Sequence, residues 1–317
     1  MRIGITGPNG FVGRELTAVL PAAGHRPVGL VRRPQALAGT ACETRPIESI
    51  GPATDWTSRL DGLDVVVHLA ARVHVMRDTA ADPLAAFRAV NTAGTLRLAQ
   101  AAATAGIKRF VFVSSIKVNG EETPFSPVDG KQPFKASDPA APQGAYSLSK
   151  WEAEQGLAEI ATRTGLEVAI VRPPLVYGRG AGGSFARLAG LVRRGVPLPL
   201  ASVRNRRSLV AVETLADLLI RLAAHEAAAG GTFLVSDGED LSTPDLIRRM
   251  GRAIGKPARP FPAPMAALRL VGGLMGRSGE IRRLTSSLQV DMAETRARLD
   301  WTPPVSVDAA LERALAP

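Results

Sequence analysis

The sequence predicts an α/β chain: a doubly wound parallel sheet followed by a smaller α+β lobe. Three observations predict it. Short β-branched runs alternate with alanine-rich stretches of helical periodicity through the first half. The first of these runs leads directly into a glycine-rich turn. After Arg172 the texture changes, with prolines clustering at Pro173–Pro174, Pro197–Pro199 and Pro303–Pro304 while the apolar runs shorten.

The elements follow in order. Residues 2–6, 28–31, 65–69, 110–114 and 168–171 read as buried strands, because their apolar runs are nearly continuous. Between them, 11–23, 83–105 and 146–163 have the length and periodicity of helices. Strand–helix alternation of this kind implies right-handed crossovers and a parallel sheet. The second half is expected to hold helices at 185–194, 212–227, 243–254 and 292–299, and to return one or two strands to the large sheet. The division expected is 1–172 for the first lobe and 173–317 for the second.

Composition narrows the function. The chain has 39 Lys and Arg against 29 Asp and Glu, a formal net charge of +10, which suits anionic partners. The cations come in scattered pairs such as Arg193–Arg194 and Arg282–Arg283, with no nucleic-acid motif beside them. Aromatics are only 4% of the chain, too few for a base-stacking platform. The economical reading is no nucleic acid and a basic cleft for a diphosphate, with weak attraction to a membrane surface left open. A single cysteine, Cys42, excludes an internal disulfide, and no Cys/His spacing suits zinc. A reducing, cytoplasmic setting without a metal fits best. The N-terminus lacks the basic and long apolar regions of a signal peptide, and no window of about 18 apolar residues could span a membrane. The apolar segment 264–275 is expected to be a helix buried under the second lobe.

Gly7-Pro8-Asn9-Gly10-Phe11-Val12-Gly13 joins the first strand to the first helix. Gly7 permits the tight turn, Gly10 lets backbone approach a pyrophosphate, and Gly13 lets the helix pack closely, as in a Rossmann-type dinucleotide site. Helix N-terminal amides would hold the phosphates. NAD sites usually end the second strand on a carboxylate. Here that strand meets Arg32 and Arg33, which suit a ribose 2′-phosphate. The pattern favours NADP(H), with NAD(H) the alternative.

Tyr146 and Lys150 stand at i and i+4, on one helix face. A neighbouring cation lowers a phenol's pKa, so Tyr146 could exchange a proton with a carbinol or carbonyl. Lys150 would also hold the nicotinamide ribose. Ser114 and Ser115 end a buried strand, where a hydroxyl can bind the reacting oxygen.

With these residues in view, the chain resembles the extended short-chain dehydrogenase/reductases, the NAD-dependent epimerase/dehydratase family. The resemblance runs through the glycine turn, His68-Leu69-Ala70-Ala71, Asn91-Thr92-Ala93-Gly94-Thr95, Ser114–Ser115, Tyr146–Lys150 and Arg172-Pro173-Pro174-Leu175-Val176-Tyr177-Gly178. It implies Ser115, Tyr146 and Lys150 as the catalytic triad. It implies a cofactor lined by Gly7, Asn9, Gly10, Phe11, Val12, Gly13, Leu69, Ala70, Ala71, Asn91 and Pro173, with Asn91 also supporting the active-site helix. It places a substrate among Ser114, Ser115, Lys117, Arg207 and Arg282, with Arg207 as the diphosphate clamp. His74 could face the substrate. Asn119 stands where many members have Tyr, and Leu175 where 4-epimerases commonly have Asn.

The implied activity is NAD(P)-dependent oxidoreduction of a UDP-sugar. The leading expectation is reduction of a UDP-4-keto-6-deoxy-hexosamine for polysaccharide synthesis. The alternatives are a UDP-glucose or UDP-N-acetylglucosamine 4-epimerase with retained NAD, and a non-catalytic dinucleotide sensor. The resemblance also implies a homodimer packed through the helices at 83–105 and 146–163.

Overall fold

The computed structural model describes residues 1–33, 37, 39–73, 82–126 and 130–316. Its main sheet has seven strands: β1 (Arg2–Thr6), β2 (Arg26–Val31), β3 (Glu43–Pro46), β4 (Val65–His68), β5 (Arg109–Val113), β8 (Glu167–Arg172) and β11 (Thr232–Leu234). Their order is β3-β2-β1-β4-β5-β8-β11, and every pairing is parallel. The first strand lies mid-sheet and the winding reverses beside it, between β1 and β4. Such a switch point is where ligands bind in open parallel sheets.

Side-chain alternation along the strands builds two cores. Ile3, Ile5, Val65, Val67, Val111 and Val171 point to one face. There they meet Leu16 of α1 (Phe11–Val19) and Leu215, Leu218, Leu219 and Leu222 of α6 (Val212–Ala224). Val28, Leu30, Val66, Phe110 and Phe112 point to the other. That face is covered by Leu98 and Ala102 of α3 (Thr95–Thr104) and Ala153 and Leu157 of α4 (Ala145–Thr164). This is the doubly wound sheet that the sequence predicts.

The helix expected over 83–105 forms, with an interruption. It runs as α2 (Pro83–Phe87), a π-helical stretch Arg88–Gly94, and α3. Wider π turns re-aim the residues they carry. Here they set Asn91 and Thr92 against α4, where Asn91 Nδ2 donates to Ser149 Oγ at 3.1 Å and Thr92 Oγ1 to the Ser149 carbonyl at 2.9 Å.

The remaining elements form the smaller part. Two short strands, β6 (Phe125–Ser126) and β7 (Gly130–Lys131), pair antiparallel, and β9 (Leu175–Tyr177), β10 (Arg207–Ala211) and β12 (Asp240–Leu241) make a three-stranded mixed sheet. The helices are α5 (Gly183–Arg193), α7 (Thr243–Ile254), α8 (Met265–Leu274), α9 (Ser278–Thr285), α10 (Ala293–Leu299) and α11 (Val307–Leu315). A third core joins α5, α7 and α11 to β9 and β10 through Tyr177, Phe185, Leu209, Ile247 and Leu311.

Two features depart from the sequence reading. Strand β3 is an edge strand of sequence Glu-Thr-Arg-Pro, with no residue fully buried, so it shows no apolar run to find. Segment 264–275 does form a helix, but it is not buried: only Leu268 and Gly272 turn inward, while Leu270 is 65% and Leu274 80% exposed.

Candidate active site

The first βα turn is shaped by its glycines. Gly7 takes φ +69°, the left-handed region. A Cβ on Gly13 would lie 2.2 Å from the Gly7 carbonyl oxygen and 2.7 Å from Pro8 Cα, so no side chain fits there. Gly13 therefore closes the helix against the turn itself. Gly10 caps α1 with no side-chain hydrogen bond, and no acidic residue stands in the first turn. The amides at Phe11 and Val12 are left for an anion, while the Val12 side chain packs into the core. Asn9 and Gly10 are exposed at the rim. This cradle, which a Cβ would fill, fits a dinucleotide pyrophosphate.

The loop after β4 faces the turn. Gly7 sits against Ala70, to whose backbone a Cβ would come within 3.2 Å. The Ala70 amide donates to Thr6 Oγ1 at 3.2 Å, and the Leu69 amide to the Thr6 carbonyl at 3.3 Å. Thr6 is fixed in turn by His68, whose Nδ1 lies 2.6 Å from its hydroxyl. His68 Nε2 lies 3.0 Å from Thr95 Oγ1, and that hydroxyl donates to the Asn91 carbonyl. Thr95 can therefore only accept from His68, which places the imidazole proton on Nε2. Burial, then the nearby Lys150 charge, pushes the His68 pKa down to about 3. Asn91, expected against the cofactor, is fully buried and braces this loop from behind, exchanging hydrogen bonds with the Arg72 backbone at 2.8 and 3.1 Å. Ala71 is half-buried in the same loop. Arg32 and Arg33 follow β2 and are exposed, with no ion pair among the described residues.

The structure brings Ser115, Tyr146 and Lys150 together where β5 ends against α4. Ser115 caps the short turn Ile116–Val118, its Oγ accepting from the Lys117 amide at 3.3 Å. Tyr146 is pushed up to about 12 by burial, and its hydrogen bond with Ser115 works in the opposite direction. Lys150 is 1% exposed; its Nζ donates to the Val113 carbonyl at 2.8 Å and lies 4.4 Å from the centre of the Phe112 ring. Burial brings it down to about 7, against the pull of Glu154. This corrects one expectation. Lys150 is not among the groups that move the Tyr146 phenol: brought down to about 7, it is neutral where a phenol near 12 titrates, and its Nζ is directed at β5. Pro173 is buried behind the triad, its carbonyl accepting from the Ile116 amide at 3.0 Å.

Ser114, expected at the substrate, turns the other way. Its hydroxyl donates to Glu154 in a short, buried hydrogen bond. Glu154 also receives Arg172, with Nη2 at 2.5 Å from Oε2, both side chains within 5% exposure. Arg172 continues to Asn119 Oδ1 at 2.9 Å, and Asn119 Nδ2 donates to the Lys135 carbonyl at 3.0 Å. The sequence reading missed Glu154 and this role of Arg172. The available signal was Glu154's position one turn beyond Lys150 on the same helix face.

Asn119 opens onto a cavity of about 710 Å³ that also reaches Gln143 at the start of α4. That volume lies in the range of small-molecule sites. Among the described residues, this cavity is not the expected basic cleft. Glu121, Glu122, Asp138 and Asp291 line the cavity against Lys135 and Arg282. Arg282, on α9, is paired with Glu122 at 2.5 Å, and Lys117 with Glu121 at 2.8 Å. Arg207 stands at the start of β10, its Nη1 holding the Arg283 and Ser286 carbonyls at 2.9 and 3.1 Å. Burial lowers its pKa and Glu122 opposes that. Arg207 thus anchors the end of the helix that presents Arg282. Leu175 is 36% exposed at the start of β9. His74 lies outside the described residues. No group of His, Cys, Asp and Glu suited to a metal occurs among the described residues, nor any helix long and apolar enough to cross a membrane.

Comparison with known proteins bears on the fold and the family. Residues 3–236 match the model of the NAD dependent epimerase/dehydratase family. A UDP-glucose 4-epimerase of Vibrio cholerae is 43% identical over 301 residues, covering 95% of this chain and 90% of that protein. A UDP-N-acetylglucosamine 4-epimerase from Bacillus cereus superposes with TM-score 0.78 at 21% identity, over 99% of this chain and 98% of that one. A UDP-glucuronic acid 4-epimerase from Bacillus cereus, in complex with NAD, superposes with TM-score 0.77 at 18% identity, over 99% and 97%. The two structures speak to the fold.

Proposed function

The chain belongs to the NAD dependent epimerase/dehydratase family, and on that footing we propose that it is a UDP-sugar 4-epimerase. The observation that carries the reading is the meeting of Ser115, Tyr146 and Lys150 beside an uncapped, glycine-shaped helix N-terminus. The 43% identity to a UDP-glucose 4-epimerase across nearly the whole chain supports the substrate class.

A dinucleotide held by its pyrophosphate in the cradle of Gly7, Gly10 and Gly13 would supply the acceptor and donor of hydride. Tyr146 Oη would take the proton of the sugar's C4 hydroxyl as that oxygen becomes a carbonyl, and would return it when the hydroxyl is re-formed. Ser115 Oγ orients the C4 oxygen. A phenol at about 12 keeps its proton at neutral pH, so Tyr146 is set to donate; acting as a base needs positive charge beside it. Lys150, at about 7, is the residue that can take on that charge near neutrality. The Ser114–Glu154–Arg172–Asn119 chain fixes β5, α4 and the cavity wall relative to one another. The reading includes a homodimer packed through the helices at 83–105 and 146–163.

One observation favours a second reading. Arg32 and Arg33, in place of a carboxylate at the end of β2, suit an exchangeable NADPH, and hence a 4-keto-sugar reductase. The deciding experiment incubates the protein with UDP-glucose and UDP-N-acetylglucosamine without added cofactor and follows the C4 epimer by NMR. Epimer should form, and Tyr146→Phe should slow it by roughly 10²–10⁴-fold. Absence of epimer, with NADPH consumed on a UDP-4-keto-sugar, would move the assignment to the reductase.

A further inference from the structure

Part of the chain's surplus of cations lies away from the cleft. Between Lys256 and Arg283 stand six cations against one carboxylate, Glu280. Arg282 faces the cavity, whereas Lys256, Arg259, Arg269, Arg277 and Arg283 are exposed, and among the described residues none of these five pairs with a carboxylate. Within this field lies α8. Its inner face is Leu268 and Gly272, and Gly272 lets α9 approach so closely that a Cβ would meet Ile281 at 2.5 Å. Its outer face carries Ala267, Leu270, Val271 and Leu274, the i, i+3, i+4, i+7 spacing of an apolar stripe. Val271 is 52% and Met275 59% exposed, with Phe261 at 45% in the preceding loop.

Apolar area of this kind on a water-facing helix marks an interaction surface. Its surroundings select the partner. A two-fold contact with a second copy would set Arg269 and Arg277 against their own counterparts. An anionic lipid surface answers both the stripe and the cations around it. Ten residues extend about 15 Å, far short of the ~30 Å hydrocarbon core, so the helix would lie in the plane of the interface.

We propose that α8 and its flanking arginines form a docking surface for an anionic phospholipid bilayer. Leu270, Val271, Leu274 and Met275 enter the headgroup–acyl boundary, and the arginines contact the lipid phosphates. Because α9 packs on α8 and carries Arg282 into the cavity, the docked face lies beside the substrate entrance.

The test is sedimentation of the full chain with phosphatidylcholine vesicles, with and without phosphatidylglycerol. Binding is expected only to the anionic vesicles. It should weaken at about 1 M salt, where the Debye length falls to about 3 Å. Leu270→Ser with Leu274→Ser should lower partitioning by roughly tenfold or more. Arg269→Glu with Arg277→Glu should do likewise. Both variants should keep the thermal midpoint and the NADH affinity of the parent, which shows that they fold. Failure of the parent to bind, or equal binding by folded variants, would overturn the proposal. So would a parent that elutes larger than the Leu270→Ser/Leu274→Ser variant without lipid, since the face would then join copies of the chain.

Discussion

Lowering the pH from about 7.5 to about 5 asks the chain to accommodate a charge on His68. The ring is fully buried between Thr6 and Thr95, with Phe112 stacked on it at 5.9 Å. Its Nε2 already donates to Thr95, so protonation adds a donor at Nδ1, where Thr6 must donate. Thr6 would have to turn its own proton away, toward no acceptor, while still receiving the Ala70 amide. The folded pKa, about 3, lies below the ordinary 6.5, so the unfolded chain binds a proton that the folded chain refuses. Stability is therefore complete above about pH 6.5 and is lost as the pH falls toward about 3. The loss is about 2 kcal/mol at pH 5 and about 3 kcal/mol at pH 4, at 1.36 kcal/mol per unit below 6.5. Urea unfolding across this range measures it. His68→Asn should start less stable, having lost ring packing, but should decline less steeply by that amount. Parallel pH profiles for the parent and His68→Asn would refute the reasoning. Because Thr6 also holds the Ala70 amide, cofactor affinity should weaken over the same range in the parent.

Other consequences can be tested on the cleft and the cradle. Glu122→Gln should release Arg282 for an incoming diphosphate and lower KM for a UDP-sugar, whereas Arg282→Ala should raise it by roughly tenfold, the worth of one charge-assisted hydrogen bond; the reverse order would remove Arg282 from the substrate. Arg32→Ala with Arg33→Ala should erase any preference for NADPH over NADH in a fluorescence titration while leaving NADH binding intact. A parent that binds both equally would mean that these arginines only solvate the end of β2.

The main sheet was legible because strands buried on both faces must be apolar throughout, and β1, β2, β4, β5 and β8 each announce themselves that way. Edge strand β3 is not under that demand, and neither is β10, which begins at Arg207 and reads locally as an arginine segment. The Tyr146–Lys150 pair was legible because its spacing is covalent: the two share a helix face whatever surrounds them. Their ionisation was not legible, since it depends on burial, and the neighbour that moves the Tyr146 phenol back down is Ser115, from a different element. Ser114 and Ser115 look equivalent on paper; strand alternation sends one hydroxyl to Glu154 and the other to Tyr146. Net charge gives the number of surplus cations but not their location, so a basic cleft was expected where carboxylates line the cavity. Likewise, the apolar content of 264–275 could not tell an inward face from an outward one.

Strand β11 has a consequence for how this chain could be cut or recombined. It reaches the outer edge of the large sheet, beside β8, only after the chain has built β9, α5, β10 and α6. A fragment ending at Arg172 would leave β8 as an open edge of Val168, Ala169, Ile170 and Val171. It would also strip from α1 the leucines of α6 that cover it. Such an edge invites pairing with other chains, so the fragment should aggregate. A chimera that takes its smaller part from a relative must therefore exchange pieces between elements, keeping α6 and β11 with the sheet they complete. The main sheet and the smaller part are thus interleaved along the chain, so a change in one reaches the packing of the other.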